Sequence, residues 1–270
     1  MTKTTRNLIK RYLPKRWRYS LQKRVAHQRM QRAKKSFSHA PTEPAYLDFT
    51  AFEMLQATYP LEPFEYTYDQ ETVEKRARHY VAEIKRTFPT GAWSQMHRFL
   101  DLGAWDGTVC QILAEAGHTA VGLDIRTEGY LPPALASTAT LTQMDVSQLA
   151  LPDNYFDCVF SFNSFEHFPR PDLALAEAIR VTKPNGYIYV NFGPLWWSAK
   201  GAHQFRTISI PYCQCLFSPE QLQTYATQKN IDLMGFHWMN EWSIEQYRQL
   251  WQSHTSHLKT IAYYEEYEAR

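Results

Sequence analysis

Residues 99–107 read Phe-Leu-Asp-Leu-Gly-Ala-Trp-Asp-Gly. A short apolar run that starts near His97 stops at Gly103. A helical pattern, Thr108–Ala116, begins just past Gly107 and closes at Gly117. Glycine reaches positive φ without strain and lets a ligand approach the backbone closely. Strand, glycine turn and helix in that order make a βα unit suited to a ligand. Asp124 follows Asp101 by 23 residues and ends the next candidate strand, Thr119–Leu123. A carboxylate at that place can accept hydrogen bonds from both hydroxyls of a ribose.

The pattern continues outward from this unit. Ala139–Met144 is a third candidate strand ending in Asp145, an acid placed to meet an adenine amino group. Phe156–Phe162 is a fourth, apolar on both faces. Pro171–Thr182 is a helix with Leu173, Leu175, Ala176 and Ile179 on one stripe. A Pro184-Asn185-Gly186 turn introduces a fifth strand, Tyr187–Phe192. Strands alternating with helices predict a doubly wound, mostly parallel α/β sheet covered on both faces. Ligands of such sheets lie at the carboxyl ends of the strands. Further on, the spacing predicts a helix at Pro219–Gln228, a strand at Ile231–Met239, a helix at Glu241–His254 and a last strand at Lys259–Glu268.

Over about residues 97–192, and more loosely to ~240, the chain resembles the class I S-adenosylmethionine (SAM)-dependent methyltransferases. The resemblance implies a Rossmann-like sheet of seven strands, here with a helical N-terminal extension. It implies SAM as donor and S-adenosylhomocysteine as product. It maps the glycine motif onto Asp101, Gly103 and Gly107, the ribose acid onto Asp124 and the adenine-side acid onto Asp145. Ala104, Trp105, Ile125, Val146 and Asn163 would line the same donor. The loop Asn163-Ser164-Phe165-Glu166-His167 would lie beside the methyl group, and the Lys183-Pro184-Asn185-Gly186 turn is also typical of the family. One residue departs from the pattern: Trp105 stands where the family has a small side chain. Its indole either clashes with the methionine part of the donor or packs under residues 41–68.

A dinucleotide-binding dehydrogenase also needs glycines and an acid, but the GxGxxG spacing is absent. The turn has no room for a diphosphate on a helix N-terminus, and Asp106 would repel one. A sulfonium and an ammonium beside the same carboxylate are far less costly. Methyl transfer needs alignment, exclusion of water and the handling of one proton. His203 and His167 are the candidate bases, each also readable as a structural histidine. The segment Gly193–Phe217 is long for a connector and rich in aromatics, so Trp196, Trp197, His203, Arg206 and Tyr212 are expected to form the acceptor side. Arg206 could instead pair with acids of the body. His167 and His203 could be metal ligands, but no carboxylate-rich cluster accompanies them in sequence, and no metal is expected. Cys213-x-Cys215 reads as packing.

The chain has 270 residues, 44% of them apolar, and no uncharged apolar run long enough to span a membrane. Four cysteines form neither a zinc ribbon nor a disulfide framework, and no signal-peptide core follows Met1. A cytoplasmic, reducing location is expected. Residues 1–42 hold 13 Lys/Arg and no acid, which leaves 16 basic and 27 acidic residues for the rest. In the tail, Leu8, Ile9, Tyr12, Leu13, Trp17, Leu21 and Val25 recur at roughly helical spacing, interrupted by Pro14. Such a segment fits a membrane surface, a nucleic acid, a transit peptide, or simple packing with a solvated basic face.

Residues 41–68 read as a proline- and aromatic-rich connector with a short helix near Thr50–Thr58. Residues 69–87 read as a helix capped by Asp69. The division is thus an extension over 1–90 and a methyltransferase domain over 91–270. The expected acceptor is a small molecule, a sugar or a lipid-linked intermediate, with peripheral membrane contact through residues 1–36. Nucleic acid is disfavoured, because the acidic body repels a polyanion and the Asn163-Ser164-Phe165-Glu166 loop lacks the prolines of enzymes acting on base amines. A methyltransferase acting on RNA or protein held by the tail, and a non-catalytic module with a decayed donor site, are the alternatives.

Overall fold

A computed structural model of the protein describes residues 15–37, 43, 45–61, 68–126, 128–204, 206–230, 233 and 238–267. The chain forms two compact units, Phe49–Lys259 and Met1–Asp48 with Thr260–Arg270.

The larger unit is built on a five-stranded sheet among the described residues. The strands are β1 (Arg98–Leu102), β2 (Thr119–Asp124), β3 (Thr140–Gln143), β4 (Phe156–Phe162) and β5 (Thr182–Asn191). Their order is β3-β2-β1-β4-β5, and every pairing is parallel. The chain runs outward through β1, β2 and β3, then returns to the other side of β1. The crevice between the carboxyl ends of β1 and β4 is therefore the topological switch point, where such sheets bind ligands.

Alternation on the strands feeds two cores. Leu100 and Leu102 of β1 join Leu123, Val159, Phe165, Ala174, Leu175, Ala178, Tyr247 and Leu250 on one face. Phe99 joins Cys158, Phe160, Phe162, Val109, Cys110 and Leu113 on the other. The first face is covered by helices Pro171–Val181 and Ile244–Ser253, the second by Gln70–Thr87 and Thr108–Glu115. In chain order the helices are α1 (Lys15–Phe37), α2 (Phe49–Thr58), α3 (Gln70–Thr87), α4 (Thr108–Glu115), α5 (Pro132–Ala136), α6 (Pro171–Val181), α7 (Cys213–Leu216), α8 (Pro219–Lys229) and α9 (Ile244–Ser253).

Helix α3 starts where the sequence places its cap. The Asp69 carboxylate accepts from the Thr72 N–H at 2.9 Å, and Val73, Ala77 and Ile84 are buried. Burying Val73 and Ile84 contributes about 1.5–3 kcal/mol each. Helix α2 inserts Phe52 into a third cluster, 4.2 Å from the Tyr225 ring and 4.9 Å from Phe217. Ser218 and Ser243 each close a capping box, at the starts of α8 and α9.

Two expectations are corrected. Strand β5 begins at Thr182, not Tyr187, because the Lys183–Gly186 stretch is drawn into the strand. Phe156 pairs with Thr182 and Cys158 with Tyr187, so two residues on β4 oppose a longer bulge on β5, with Asn185 at φ 63°. Residues 259–267 form no strand. Ile261, Tyr263 and Tyr264 are exposed; β-prone residues make a strand only where a ladder partner is available. The sheet has five strands among the described residues. Most of the strand expected at Ile231–Met239 lies outside the described residues. In the smaller unit, α1 places Lys34 and Lys35 in its last turn, where cations complement the helix dipole. Trp17, Leu21 and Met30 are exposed on it. Leu8, Ile9, Tyr12 and Leu13 lie outside the described residues.

Candidate active site

The turn after β1 is held by backbone bonds. The N–H groups of Gly103 and Ala104 both donate to the Leu123 carbonyl at 2.8 Å, and Gly107 donates to Ala104. Gly103 has φ +80° and Gly107 φ +78°, so both need the freedom of glycine. A Cβ on Gly103 would stand 2.5 Å from the Ser164 Oγ, and one on Gly107 would meet Leu141 at 2.7 Å. Ser164 in turn donates to the Gly103 carbonyl at 3.2 Å. The glycine turn and the loop after β4 are thus in direct contact.

Three carboxylates cluster here. Asp101, Asp106 and Asp124 are all buried. Burial, then the charges of Asp106 and Asp124, hold the Asp101 pKa well above the usual carboxylate range. Asp106 is paired with Arg76 of α3, and its other oxygen accepts from the Thr108 N–H at 2.9 Å. Asp124 accepts from the Trp105 N–H at 3.1 Å, from the Arg126 N–H at 3.0 Å, and from Arg126 Nε and Nη2 at 2.9 and 3.1 Å. A carboxylate has about four lone-pair sites. Asp124 therefore has none left for a ribose while Arg126 keeps this rotamer.

Trp105 stays at the surface of the turn. It is 41% exposed with φ 49°, in the left-handed region that bulky residues rarely adopt. The Arg126 guanidinium lies over its ring at 4.1 Å and donates to its carbonyl at 3.1 Å. Trp105 and Asp106, with Tyr68, Val73, Gly129 and Leu131, line a cavity of about 280 Å³.

The other donor-side candidates take separate positions. Ala104 and Val146 are buried. Ile125 is exposed, and its carbonyl accepts from the Gln143 amide. Asp145 is exposed and turns one oxygen onto the Ser147 N–H and Oγ at 2.8 and 2.7 Å. Asn163, at φ 49°, donates to the Tyr80 hydroxyl at 2.8 Å, and the Tyr80 ring stacks on Phe162 at 4.1 Å.

On the acceptor side the structure gathers three groups. The His167 and His203 rings meet edge-to-face at 5.0 Å, and Glu166 lies beside them. Glu166 is fully buried. Its Oε1 accepts from the Gly193 N–H at 2.9 Å, and its Oε2 has no partner. Burial raises the Glu166 pKa to about 7 and lowers that of His167 to about 4, with His203 adding to the latter effect. Burial also lowers His203. All three groups are thus pushed toward their neutral forms.

The remaining acceptor candidates are not drawn into this cluster. Trp196 packs against the third core cluster. Trp197 is exposed, its Nε1–H donating to the Glu241 carbonyl at 2.8 Å. Arg206 lies over the Tyr68 ring at 5.5 Å. Tyr212 is half-exposed at φ 61° and donates its N–H to the Ala199 carbonyl. Sequence reasoning missed Glu166 as a candidate, although a glutamate beside a histidine after a central strand was legible. It also missed Arg76, Tyr80, Arg126 and Asn240, whose partners are distant in sequence or, for Arg126, a matter of rotamer.

A doubly wound parallel sheet with a glycine turn after β1 and an acid ending β2 is the arrangement of a Rossmann-like, class I methyltransferase-type domain. Residues 100–190 match the family model described as a methyltransferase domain. The ubiquinone/menaquinone biosynthesis C-methyltransferase of Burkholderia multivorans is 27% identical over 125 residues, 42% of this chain and 51% of that one. The ubiquinone biosynthesis O-methyltransferase of Paracidovorax citrulli is 29% identical over 102 residues, covering 35% and 43%. The chain thus spans about half the length of the curated relatives it matches. Among solved structures, the PH0226 protein of Pyrococcus horikoshii is 26% identical with a TM-score of 0.37, covering 46% of this chain and 59% of that one.

Proposed function

We propose that this chain transfers a methyl group from SAM to an oxygen or nitrogen of a small-molecule, sugar or lipid-linked acceptor. The observation that carries this reading is the glycine turn Gly103–Gly107 at the switch point of the sheet, with Asp124 ending the neighbouring strand. A nucleoside whose sulfonium and ammonium outweigh its one carboxylate meets less repulsion from Asp106 and Asp124 than a diphosphate does. SAM, when bound, supplies a methyl already activated on a sulfonium sulfur. Asp124 holds the ribose hydroxyls once Arg126 has swung away, Asp145 faces the adenine, and Gly103 admits the methionine part. Asn163 and Tyr80 wall the methyl side. His203, with His167 second, receives the proton of a hydroxyl acceptor; an amine acceptor needs alignment and desolvation more than a base. Trp196, Trp197, Arg206 and Tyr212 shape the acceptor side.

The names of two relatives place them in ubiquinone biosynthesis, as a C-methyltransferase and an O-methyltransferase, which favours a small-molecule acceptor here. The reaction is placed in the cytoplasm, with residues 1–36 resting on an anionic membrane surface through their basic side chains. Calorimetric titration of the full chain with SAM and S-adenosylhomocysteine, with NADH as control, tests the donor. Binding of both sulfur nucleosides and not of NADH is expected. A second reading, a non-catalytic module, is favoured by Arg126 saturating Asp124. It requires that the folded protein bind neither nucleoside.

A further inference from the structure

We infer that Glu166, His167 and His203 form a binding site for one divalent transition-metal cation at the carboxyl ends of β4 and β5. One ring nitrogen of each histidine and a carboxylate oxygen of Glu166 lie within 4.8 Å of one another, the one such cluster among the described residues. The Glu166 side chain is fully buried, and only Oε1 has a donor, the Gly193 N–H. Oε2 is buried without any partner. A native fold rarely leaves a carboxylate oxygen in that state unless something else satisfies it.

The two imidazoles are already set as ligands. His167 turns Nδ1 to the Trp238 carbonyl at 3.3 Å, and His203 turns Nε2 to the Pro194 carbonyl at 2.9 Å. A carbonyl only accepts, so those nitrogens carry the protons. The lone pairs are left on Nε2 of His167 and Nδ1 of His203. Metal-bound histidines are typically oriented by this kind of bond from the second nitrogen to a backbone carbonyl.

The loop carrying Glu166 and His167 is braced. The Asn240 amide donates to the carbonyls of Phe165 and Phe168 at 2.8 and 2.9 Å, its backbone N–H donates to the Glu166 carbonyl, and the Tyr247 hydroxyl donates to Phe165. Two imidazoles and one carboxylate select a first-row transition ion such as zinc or iron(II) over calcium or magnesium, which prefer all-oxygen shells. With bonds of about 2.1 Å, ligand atoms around such an ion stand about 3.4 Å apart. The two rings therefore close in slightly on the ion. Three protein ligands leave at least one position open. With the ion bound, the lone pairs of His167 and His203 are taken, so in that state neither imidazole receives the acceptor's proton.

The test is titration of the full chain, stripped by chelator, with Co²⁺ followed by its visible d–d absorption and with Zn²⁺ as competitor. One Co²⁺ per chain is expected, displaced by Zn²⁺. His203→Asn, which tolerates the positive φ at that position, and Glu166→Gln, which keeps the Gly193 bond, are each expected to weaken binding at least tenfold. If wild type binds no stoichiometric Co²⁺, or if both variants bind as it does, the site is refuted. Should a variant fail to fold, ring ¹⁵N NMR of the wild type decides. Zn²⁺ must move His167 Nε2 and His203 Nδ1, and movement confined to other histidines refutes the site. S-adenosylhomocysteine titrated in parallel separates this inference from the methyltransferase reading, since either can fail alone.

Discussion

Arg126 is the residue on which the proposed donor binding turns. Its guanidinium spans both oxygens of Asp124 and stacks on Trp105. A donor that needs Asp124 binds only the fraction of molecules in which Arg126 has left, and its apparent affinity falls by that fraction. Arg126→Ala is expected to tighten S-adenosylhomocysteine binding about three- to tenfold by calorimetry. Asp124→Ala is expected to weaken it at least tenfold in a folded protein; unchanged affinity would break the assignment of the ribose acid. Gly103→Ala puts a Cβ 2.5 Å from Ser164 Oγ at φ +80°. A loss of about 1–3 kcal/mol in urea unfolding is expected, with donor binding lost along with the turn geometry. The pattern Asp-x-Gly-x-x-x-Gly was readable at this scale, but the rotamer of Arg126 was not. It depends on a ring and a carboxylate that only the folded turn brings together.

At the scale of elements, Asp157 ties β4 to its neighbours. One oxygen accepts from the N–H groups of His97 and Arg98, both at 2.9 Å, and the other from Lys183 Nζ at 2.5 Å. Burial alone would raise the Asp157 pKa, but the Lys183 bond and the two backbone donors outweigh it and hold the value below the usual range. The sign follows: the stability from this group is fully present above the unfolded carboxylate pKa of about 4 and is lost as pH falls through the lower folded value. Asp157→Ala leaves the His97 and Arg98 donors without their acceptor. It is expected to cost about 1–3 kcal/mol at pH 7, a difference that shrinks in acid unfolding below about pH 4. All five described strands and the main helices were legible within a few residues, because burial on both faces writes continuous apolar runs. Residues 259–267 misled because β-prone side chains such as Ile261, Tyr263 and Tyr264 carry no information about whether a ladder partner is available.

For the whole molecule the governing feature is charge separation. Residues 1–42 carry 13 basic side chains and no acid, while the rest carries a net excess of acid. Basic segments near an anionic bilayer gain about 1 kcal/mol per Lys or Arg, and salt screens the gain within about a Debye length. Co-sedimentation with vesicles containing phosphatidylserine is expected to fall steeply between low and physiological salt. Deletion of residues 1–36 should abolish it, while vesicles of neutral lipid should bind neither form. Binding that survives the deletion would move the contact to the sheet-bearing unit.

Sequence alone determined the class of this protein. Hydrophobic periodicity dictates a parallel sheet, and the spacing of Asp101, Gly103, Gly107 and Asp124 puts a glycine turn and two acids at its carboxyl edge. Those are local signals, set by backbone sterics and by which side chains can tolerate burial. What only the tertiary structure decided is which groups meet. Glu166 and His167 stand 36 residues or more from His203 in sequence, yet they share one cluster with a carboxylate oxygen left unpaired. Arg76 and Tyr80 of α3 reach Asp106 and Asn163. These contacts depend on how two helices and three loops pack over the sheet. Packing is settled by the summed fit of the whole core and not by any stretch of chain read by itself.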